Sequence, residues 1–572
     1  MSPGLPRSDA PLIVQSDGSV LLETAAPDAV AARDALSRFA EIVKSPEHVH
    51  TYRLSSLSLW QAAGQGMTAD DVVGALERFS KYALPANVVH EIRSAMGRFG
   101  RLVLEKSGEG LVLRAADGAT AAEIAASRRV GEVVGAREQD AFSVPADKRG
   151  AVKQALLAAG WPVDDRAGYA QGEALEVSLR DRTLGGRPFA VRPYQEEAAQ
   201  AFVASGHGTV VLACGAGKTV VALSVLAKLK TRTLVLCTGS AAVHQWVREI
   251  VDKTTLAESD VGEYTARSKR IRPVTVTTYS MLIRKKGESF PHWEIFDREN
   301  WGLIVYDEVH LVPAPIFRVT ADLQARRRLG LTATLVREDG KEGDVYSLIG
   351  PKRYDAPWKQ MEEGGFIARA ACVEVRVDMP ESLRLAIAGA TERTEAYRLA
   401  AENPRKLEVA RTIVESHPND RILVVGQYRR QVHAIADRLR APIVTGETSD
   451  PERERIYDAF RRGEVRVLVA SKVANLSIDL PEASVLVQLS GAFGSRQEEA
   501  QRLGRVLRPK DRVATFYSLV SRDSPEQGFA LNRQIFLAEQ GYAYAIEDWT
   551  WVGEDDPPQL PEAAAEPEEA AP

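Results

Sequence analysis

The chain is predicted to be an α/β protein: two successive parallel-sheet units, preceded by two small α/β accessory modules. Three observations carry this. From residue 191 onward, short β-branched runs alternate with helical segments, and the alternation resumes after a charged helical stretch at about 381–417. Strands interleaved with helical patterns are the mark of βαβ crossovers and of a sheet covered by helices. The length, 572 residues, leaves room for three or four domains at about 150 residues each.

Taken in order, residues 1–115 read as a first accessory module. Two apolar runs flank Asp17-Gly18, a hairpin signal, and helical periodicity follows at 70–82 and 86–99. Residues 116–185 read as a second small module, with Ala-rich helices, short strands and a Leu184-Gly185-Gly186 end. Neither module carries a catalytic signature, and Trp60 and Trp161 are expected in their cores, as large apolar residues mostly are. The first parallel-sheet unit is placed at 186–365, with strands at 209–212, 233–237, 274–278, 303–306 and 329–331. A helical linker is placed at 366–415. The second unit follows at 416–545, with strands at 422–425, 443–444, 467–469, 485–489 and 515–519. Residues 546–572 are an Ala/Pro/Glu tail expected to be disordered.

Composition narrows the function classes. With 45% hydrophobic and 26% charged residues, the chain has the balance of a soluble globular protein. The net charge of −5 gives no general reason to expect a polyanionic partner. Seven of the 78 acids, and none of the 73 bases, lie beyond Gly553, so the body carries +2 and any basic surface must be local. The three cysteines, Cys214, Cys237 and Cys372, form no CxxC pair, which argues against a zinc site or a disulfide framework. No stretch approaches the roughly 18 apolar residues of a membrane span, and Pro3, Pro6, Arg7 and Asp9 do not fit a signal peptide. The expectation is a cytoplasmic protein with no membrane partner.

Three constellations carry chemistry. Cys214-Gly215-Ala216-Gly217-Lys218-Thr219 follows a strand and opens a helix at 220–230, the context a phosphate loop needs. Glycines let backbone N–H groups converge on phosphates, and the helix N-terminus adds favourable dipole charge. Lys218 would reach the β and γ phosphates, and Thr219 would ligand Mg²⁺. Leu212 stands where the full pattern has glycine. Next, the strand at 303–306 ends in Asp307-Glu308-Val309-His310, at the edge where such sheets place their sites. Asp307 would hold Mg²⁺ through water, Glu308 would deprotonate the attacking water, and His310 would couple the pair to the next motif. An acidic pair at a strand end is also a common helix cap; the lysine loop upstream favours the metal reading. Finally, Ser495-Arg496-Gln497-Glu498 is a capping box. In the helix it opens, Gln501, Arg505 and Arg508 share one face. Alone, such a helix is usually a solvated face. After a phosphate-binding unit, the two arginines read as arginine fingers.

Together these residues resemble a superfamily 2 helicase. Arg192-Pro193-Tyr194-Gln195 resembles its adenine-side element, Gly215 to Thr219 motif I, Asp307 to His310 motif II in DExH form, Thr332-Ala333-Thr334 motif III, and Gln501 to Arg508 motif VI. Ser471-Lys472-Val473, Ser477-Ile478-Asp479-Leu480-Pro481, the 494–509 segment, Arg337-Glu338-Asp339 after motif III and Asn403-Pro404-Arg405-Lys406 narrow the resemblance to the XPB (xeroderma pigmentosum group B) branch. It is specific over about 190–525 and weaker over 1–180, where the second module resembles a damage-recognition domain. The resemblance implies two RecA-like lobes, a thumb-like insertion in the 366–415 region, ATP and Mg²⁺ as cofactors, and nucleotide contacts from Arg192, Gln195 and Asp479. It further implies a DNA-dependent ATPase that translocates 3′→5′ and opens duplex DNA in excision repair, with a nuclease as partner. A duplex translocase that separates no strands, an RNA-directed helicase and an inactive scaffold recruiting a nuclease are the alternatives.

Such a motor holds its strand by hydroxyls, backbone N–H groups and a few cations. The candidates are Thr238, Ser240 and Gln245 after the second strand, and Thr277, Thr278 and Tyr279 after the third. In the second unit they are Thr445, Gly446, Ser471 and Lys472. Strand-end Thr and Ser also commonly cap helices. Arg337, Glu338 and Asp339 read from the residues alone as a polar turn before Gly340; the resemblance makes them a DNA-opening wedge.

Overall fold

The computed structural model describes residues 7–45, 48–108, 110–213, 215–286, 290–323, 326–333, 342–356, 361, 364, 366, 370–471, 483–491, 513–528, 530, 537 and 544–549. Two compact units result. The described residues up to 356 form the first, save 42–50 and 214–216, which group with the described residues from 361 onward in the second.

The chain opens with β1 (Leu12–Val14) and β2 (Ser19–Glu23), the antiparallel hairpin expected around Asp17-Gly18. Gly18 supplies the positive φ of 79° that the turn requires, and Asp17 Oδ1 accepts the Ser19 N–H. With β3 (Glu41–Lys44) and β4 (Val49–Arg53) they form a sheet of order β1-β2-β4-β3. The amphipathic Ala69–Phe79 helix buries Val72, Val73, Leu76 and Phe79, and its N-terminus is closed by the Thr68/Asp71 capping box. Trp60 is buried, its indole donating to Ala95 O.

The second module is a five-stranded sheet of β5 (Leu102–Ser107), β6 (Gly110–Ala115), β7 (Arg137–Glu138), β8 (Ala141–Val144) and β9 (Asp164–Asp165), in the order β7-β8-β6-β5-β9. The boundary expected at 115/116 therefore falls within a sheet: the β5–β6 hairpin belongs to this module and not to the first. Periodicity locates strands but does not say which sheet they join, because that depends on distant hydrogen-bond partners. Trp161 is in this core, covered by Arg98 at 4.7 Å from its ring.

Both modules are built into the first unit. Gln61 Oε1 accepts the Lys352 N–H at 2.6 Å, and Gln154 Nε2 donates to Asp344 at 3.0 Å. Deeper in, Asp165 is fully buried between Arg149 (2.6 Å) and Lys153 (3.2 Å), and Tyr169 Oη lies 2.5 Å from His207 Nδ1. Burial alone would raise the Asp165 pKa; Lys153 and Arg149 override it and hold the carboxyl well below the usual range.

The first parallel sheet comprises β10 (His207–Leu212), β11 (Thr233–Cys237), β12 (Val261–Tyr264), β13 (Val274–Thr278), β14 (Leu303–Asp307), β15 (Arg327–Thr332) and β16 (Lys352–Ala356). Its order is β12-β13-β11-β14-β15-β10-β16. β11 and β13 bury every residue, as β-branched-rich strands covered on both faces do, with Thr233, Thr275, Thr277 and Thr278 buried among the apolar side chains.

The second unit repeats the architecture with β17 (Ala370–Val377), β18 (Ile422–Gly426), β19 (Ile443–Val444), β20 (Val467–Ser471), β21 (Val485–Gln488), β22 (Ala514–Ser521) and β23 (Tyr544–Trp549), in the order β19-β20-β18-β21-β22-β17-β23. The helical linker expected at 366–415 thus needs correction, because 370–377 is a strand paired in parallel with β22 and β23. Likewise β23 extends past the expected 545 boundary. Asn403 and Lys406 of the Asn403-Pro404-Arg405-Lys406 segment are also core here. Lys406 Nζ meets Glu526 at 2.6 Å with neither side chain exposed, and Asn403 Nδ2 donates to Asp378 O. Cys237 and Cys372 are both buried. Among the described residues, no helix is long and apolar enough to cross a membrane.

Candidate functional site

The parallel order puts the C-terminal ends of β10, β11, β14 and β15 along one edge of the first sheet, where open α/β sheets bind their ligands. After β10 the chain turns through Gly215 (φ 83°) and Gly217 (φ 82°), left-handed conformations that strain any residue with a Cβ. Gly217 is required twice over, since a Cβ there would stand 2.4 Å from Gln195 Nε2. This brings the expected adenine-side residue against the phosphate loop. Gln195 is buried and accepts the Arg192 N–H at 2.9 Å, while Arg192 Nη1 donates to Tyr194 Oη at 3.2 Å. Ala216 is buried, and the Lys218–Leu229 helix starts directly on the loop, with half-buried Lys218 and Thr219 in its first turn.

β14 supplies the acids. Asp307 ends the strand, and Glu308 follows in the left-handed region at φ 49°, ψ 58°. For a non-glycine residue this stores about 1–3 kcal/mol and persists only where the surroundings hold it. Here they do: Lys218 Nζ lies 3.3 Å from Glu308 Oε1, His310 Nδ1 lies 3.6 Å from Oε2, and the Ala333 N–H bonds to the carboxylate. Burial alone would raise Glu308, but Lys218 and then His310 hold it low and ionised. Asp307 goes the other way, pushed up to about 6 by burial and by the Glu308 charge. The two adjacent carboxyls thus have opposed shifts, so Glu308 stays ionised while Asp307 takes up a proton nearer neutrality.

His310 is buried with Nδ1 2.6 Å from Thr332 Oγ1 at the end of β15, a direct link from the acidic pair to the Thr332-Ala333 segment. Among the described residues no cluster of three or more His, Cys, Asp or Glu could hold a metal by itself. Thr219 and Asp307 offer one hydroxyl and one carboxylate, donors that could serve Mg²⁺, which takes one or two protein ligands together with phosphate oxygens and water. A cation there would also relieve the burial cost of the Asp307 charge.

The candidates for strand contact divide. Thr238, Ser240 and Gln245 are exposed. Thr277, Thr278 and Tyr279 are not and need reassignment: Thr277 donates to Tyr264 O, Thr278 caps the helix after β13, and Tyr279 donates to Asp307 O. Thr445 and Ser471 are also buried, and Thr445 Oγ1 accepts the Glu447 N–H. In Thr277, Thr278, Tyr279 and Thr445 a hydroxyl at or beside a strand end turns inward to satisfy nearby backbone. Gln501, Arg505, Arg508, Asp479, Lys472, Arg337, Glu338 and Asp339, together with the tail beyond 549, lie outside the described residues. One residue of the site escaped sequence reasoning. Trp246, on the Ser240–Lys253 helix, donates its indole N–H to Asp307 Oδ2 at 2.8 Å. Its place on the apolar face with Val243 and Ile250, one helix after a strand ending at the site, was the available signal.

Fold and site define a phosphate-loop nucleotide-dependent motor of the helicase class, with two parallel-sheet units. Residues 361–560 match the ERCC3/RAD25/XPB C-terminal helicase family, 188–337 the type III restriction enzyme res subunit, and 12–139 a helicase conserved C-terminal domain. The chain is 53% identical over 545 residues to the DNA 3′-5′ helicase XPB of Kineococcus radiotolerans, covering 95% of this chain and 97% of that protein. To the DNA 3′-5′ helicase XPB of Mycobacterium tuberculosis it is 52% identical over 545 residues, covering 95% and 98%. To the general transcription and DNA repair factor IIH helicase/translocase subunit XPB/SSL2 of Saccharomyces cerevisiae it is 31% identical over 609 residues, covering 93% and 71%. The chain belongs to the XPB helicase family.

Proposed function

We propose that this protein is an ATP-dependent 3′→5′ DNA helicase that couples ATP hydrolysis to movement on DNA and to its opening, acting in excision repair in the cytoplasm. The observation that carries the reading is Lys218 set 3.3 Å from Glu308 beside Asp307, in a chain so similar to helicases of that name. Gly215, Ala216, Gly217 and Lys218 hold the phosphates, Arg192 and Gln195 the adenine, and Asp479 contributes to nucleotide binding. Thr219 and Asp307 share Mg²⁺, which when bound supplies charge neutralisation at the phosphates. Glu308 takes the proton of the attacking water, and His310 relays the state of the acidic pair to Thr332. Arg505 and Arg508, with Gln501 from the same motif, act on the transition state, the two arginines supplying positive charge. Thr238, Ser240, Gln245 and Lys472 touch the DNA backbone. Arg337, Glu338 and Asp339 form the wedge, so replacing Arg337 and Asp339 reduces strand separation more than ATP hydrolysis. A nuclease acting on the opened strand is the partner class this reading calls for.

A strand-displacement assay on 3′-tailed and 5′-tailed duplexes tests it, run with ATP and with a non-hydrolysable analogue. Displacement from the 3′-tailed substrate with ATP alone is expected. DNA-stimulated hydrolysis without displacement would favour a duplex translocase, and no hydrolysis at all would favour an inactive scaffold.

A further inference from the structure

Asp307 is held at its side chain and its backbone by residues from two neighbouring strand–helix junctions. Trp246, on the helix after β11, donates Nε1–H to Asp307 Oδ2 at 2.8 Å. Tyr279, directly after β13, donates Oη–H to Asp307 O at 2.8 Å. Both side chains are buried, at 3% and 4% exposure, so neither bond is exchanged readily for water. The other carboxylate oxygen, Oδ1, accepts the Glu308 N–H at 3.1 Å. The carboxylate is thus held from two directions, and its own backbone carbonyl from a third, before any metal arrives.

The segment that carries Trp246 also presents the outward residues proposed to touch the strand. Val243, Trp246 and Ile250 form the buried face of the Ser240–Lys253 helix, whereas Ser240 and Gln245 are exposed, and Gln245 directly precedes Trp246 in sequence. A helix packed into a close-packed interior moves as a unit, so a displacement on one face is felt on the other. An indole N–H only donates. Trp246 therefore takes no part in proton transfer; what it controls is where Oδ2 stands.

We propose that Trp246 is a positioning residue for the Asp307 carboxylate and that, with Tyr279, it carries strand occupancy on the exposed face of the Ser240–Lys253 helix to the metal-holding group. The proposal rests on the helicase reading above. It makes DNA binding and Mg²⁺-nucleotide binding reciprocal: whatever factor one contributes to the affinity of the other must be returned.

The test uses the full chain and two variants, Trp246→Phe, which keeps an aromatic ring without the N–H, and Tyr279→Phe, which removes one buried hydroxyl. Affinity for a fluorescent ATP analogue is measured against Mg²⁺ concentration, with and without a single-stranded oligonucleotide. In the unmodified protein the oligonucleotide should tighten analogue binding by about tenfold, within the usual range of coupling. In Trp246→Phe that ratio should fall to about twofold or less, with half-saturating Mg²⁺ raised severalfold and oligonucleotide affinity in the absence of nucleotide retained. A purely structural role would lower the melting temperature and leave both quantities alone; that result overturns the proposal. Should Trp246→Phe fail to fold, Tyr279→Phe decides, and unchanged coupling there overturns it equally. If the unmodified protein shows no coupling, the proposal falls. The displacement assay then tells separately whether the helicase reading falls with it.

Discussion

Replacing Lys218 with alanine removes the cation at the centre of the site, and the structure says what that costs. Lys218 Nζ is 3.3 Å from Glu308 Oε1, and the two side chains are only 11% and 17% exposed. At an effective dielectric of about 20, unit charges at that separation attract by about 5 kcal/mol before desolvation is counted. Two consequences follow. On the reading that Lys218 holds the phosphates, its loss is comparable to removing one preorganised transition-state donor, about 10²–10³-fold in kcat or about 3–4 kcal/mol. In addition, Glu308 loses the largest influence that keeps it ionised against burial. With Asp307 already pushed up to about 6, two like charges side by side then share a proton nearer neutrality. The residual activity should therefore have its acid limb shifted to higher pH. The assay is DNA-stimulated ATP hydrolysis across pH 5–9, with circular dichroism to confirm the fold. Undiminished turnover at pH 7.5 would refute the assignment of the site, and a lowered rate with an unshifted acid limb would refute the electrostatic account of Glu308.

Three further outcomes are expected. ATP hydrolysis by the unmodified protein should fall as pH drops through about 6, because Asp307 must be ionised to hold Mg²⁺. As its folded pKa lies above the unfolded value of 3.8, the same group lowers fold stability above about pH 6, and that penalty fades as pH falls towards 4; excess Mg²⁺ should move the activity limb to lower pH. Lys406→Met strands Glu526 in a fully buried site and should cost about 3–5 kcal/mol by chemical denaturation, whereas Lys406→Met with Glu526→Leu should recover most of it; an equal loss in the double variant would contradict the pair's account. Asp165→Ala leaves Arg149 and Lys153 buried without their carboxylate and should cost a similar amount, read by calorimetry as a lower melting temperature.

Much of the motor was legible in the residues because its signals are local. A parallel strand covered on both faces favours β-branched and apolar residues, so the runs at 233–237 and 274–278 located β11 and β13 to the residue. The phosphate loop was legible because only glycine adopts the conformations of Gly215 and Gly217 without strain. The acidic pair was legible because it ends a buried strand. Less legible was β17, which reads as a short mixed run, and its place between β22 and β23 depends on strands more than 130 residues away.

Sequence by itself determined the two sheets, the glycine loop after β10, the carboxylates at the end of β14 and the family, since each depends on residues adjacent in the chain or on motif identity. Tertiary structure alone decided which hydroxyls face outward. Thr238 and Ser240 do, whereas Thr278, Tyr279 and Thr445 turn in, because a buried strand end must satisfy its backbone from whatever side chain is nearest. It also decided that both accessory modules pack into the first unit, through pairs such as Gln61 with Lys352 and Gln154 with Asp344. And it decided that Trp246, which reads as an ordinary core residue, reaches the Asp307 carboxylate, because contacts across a sheet follow strand order and not chain order.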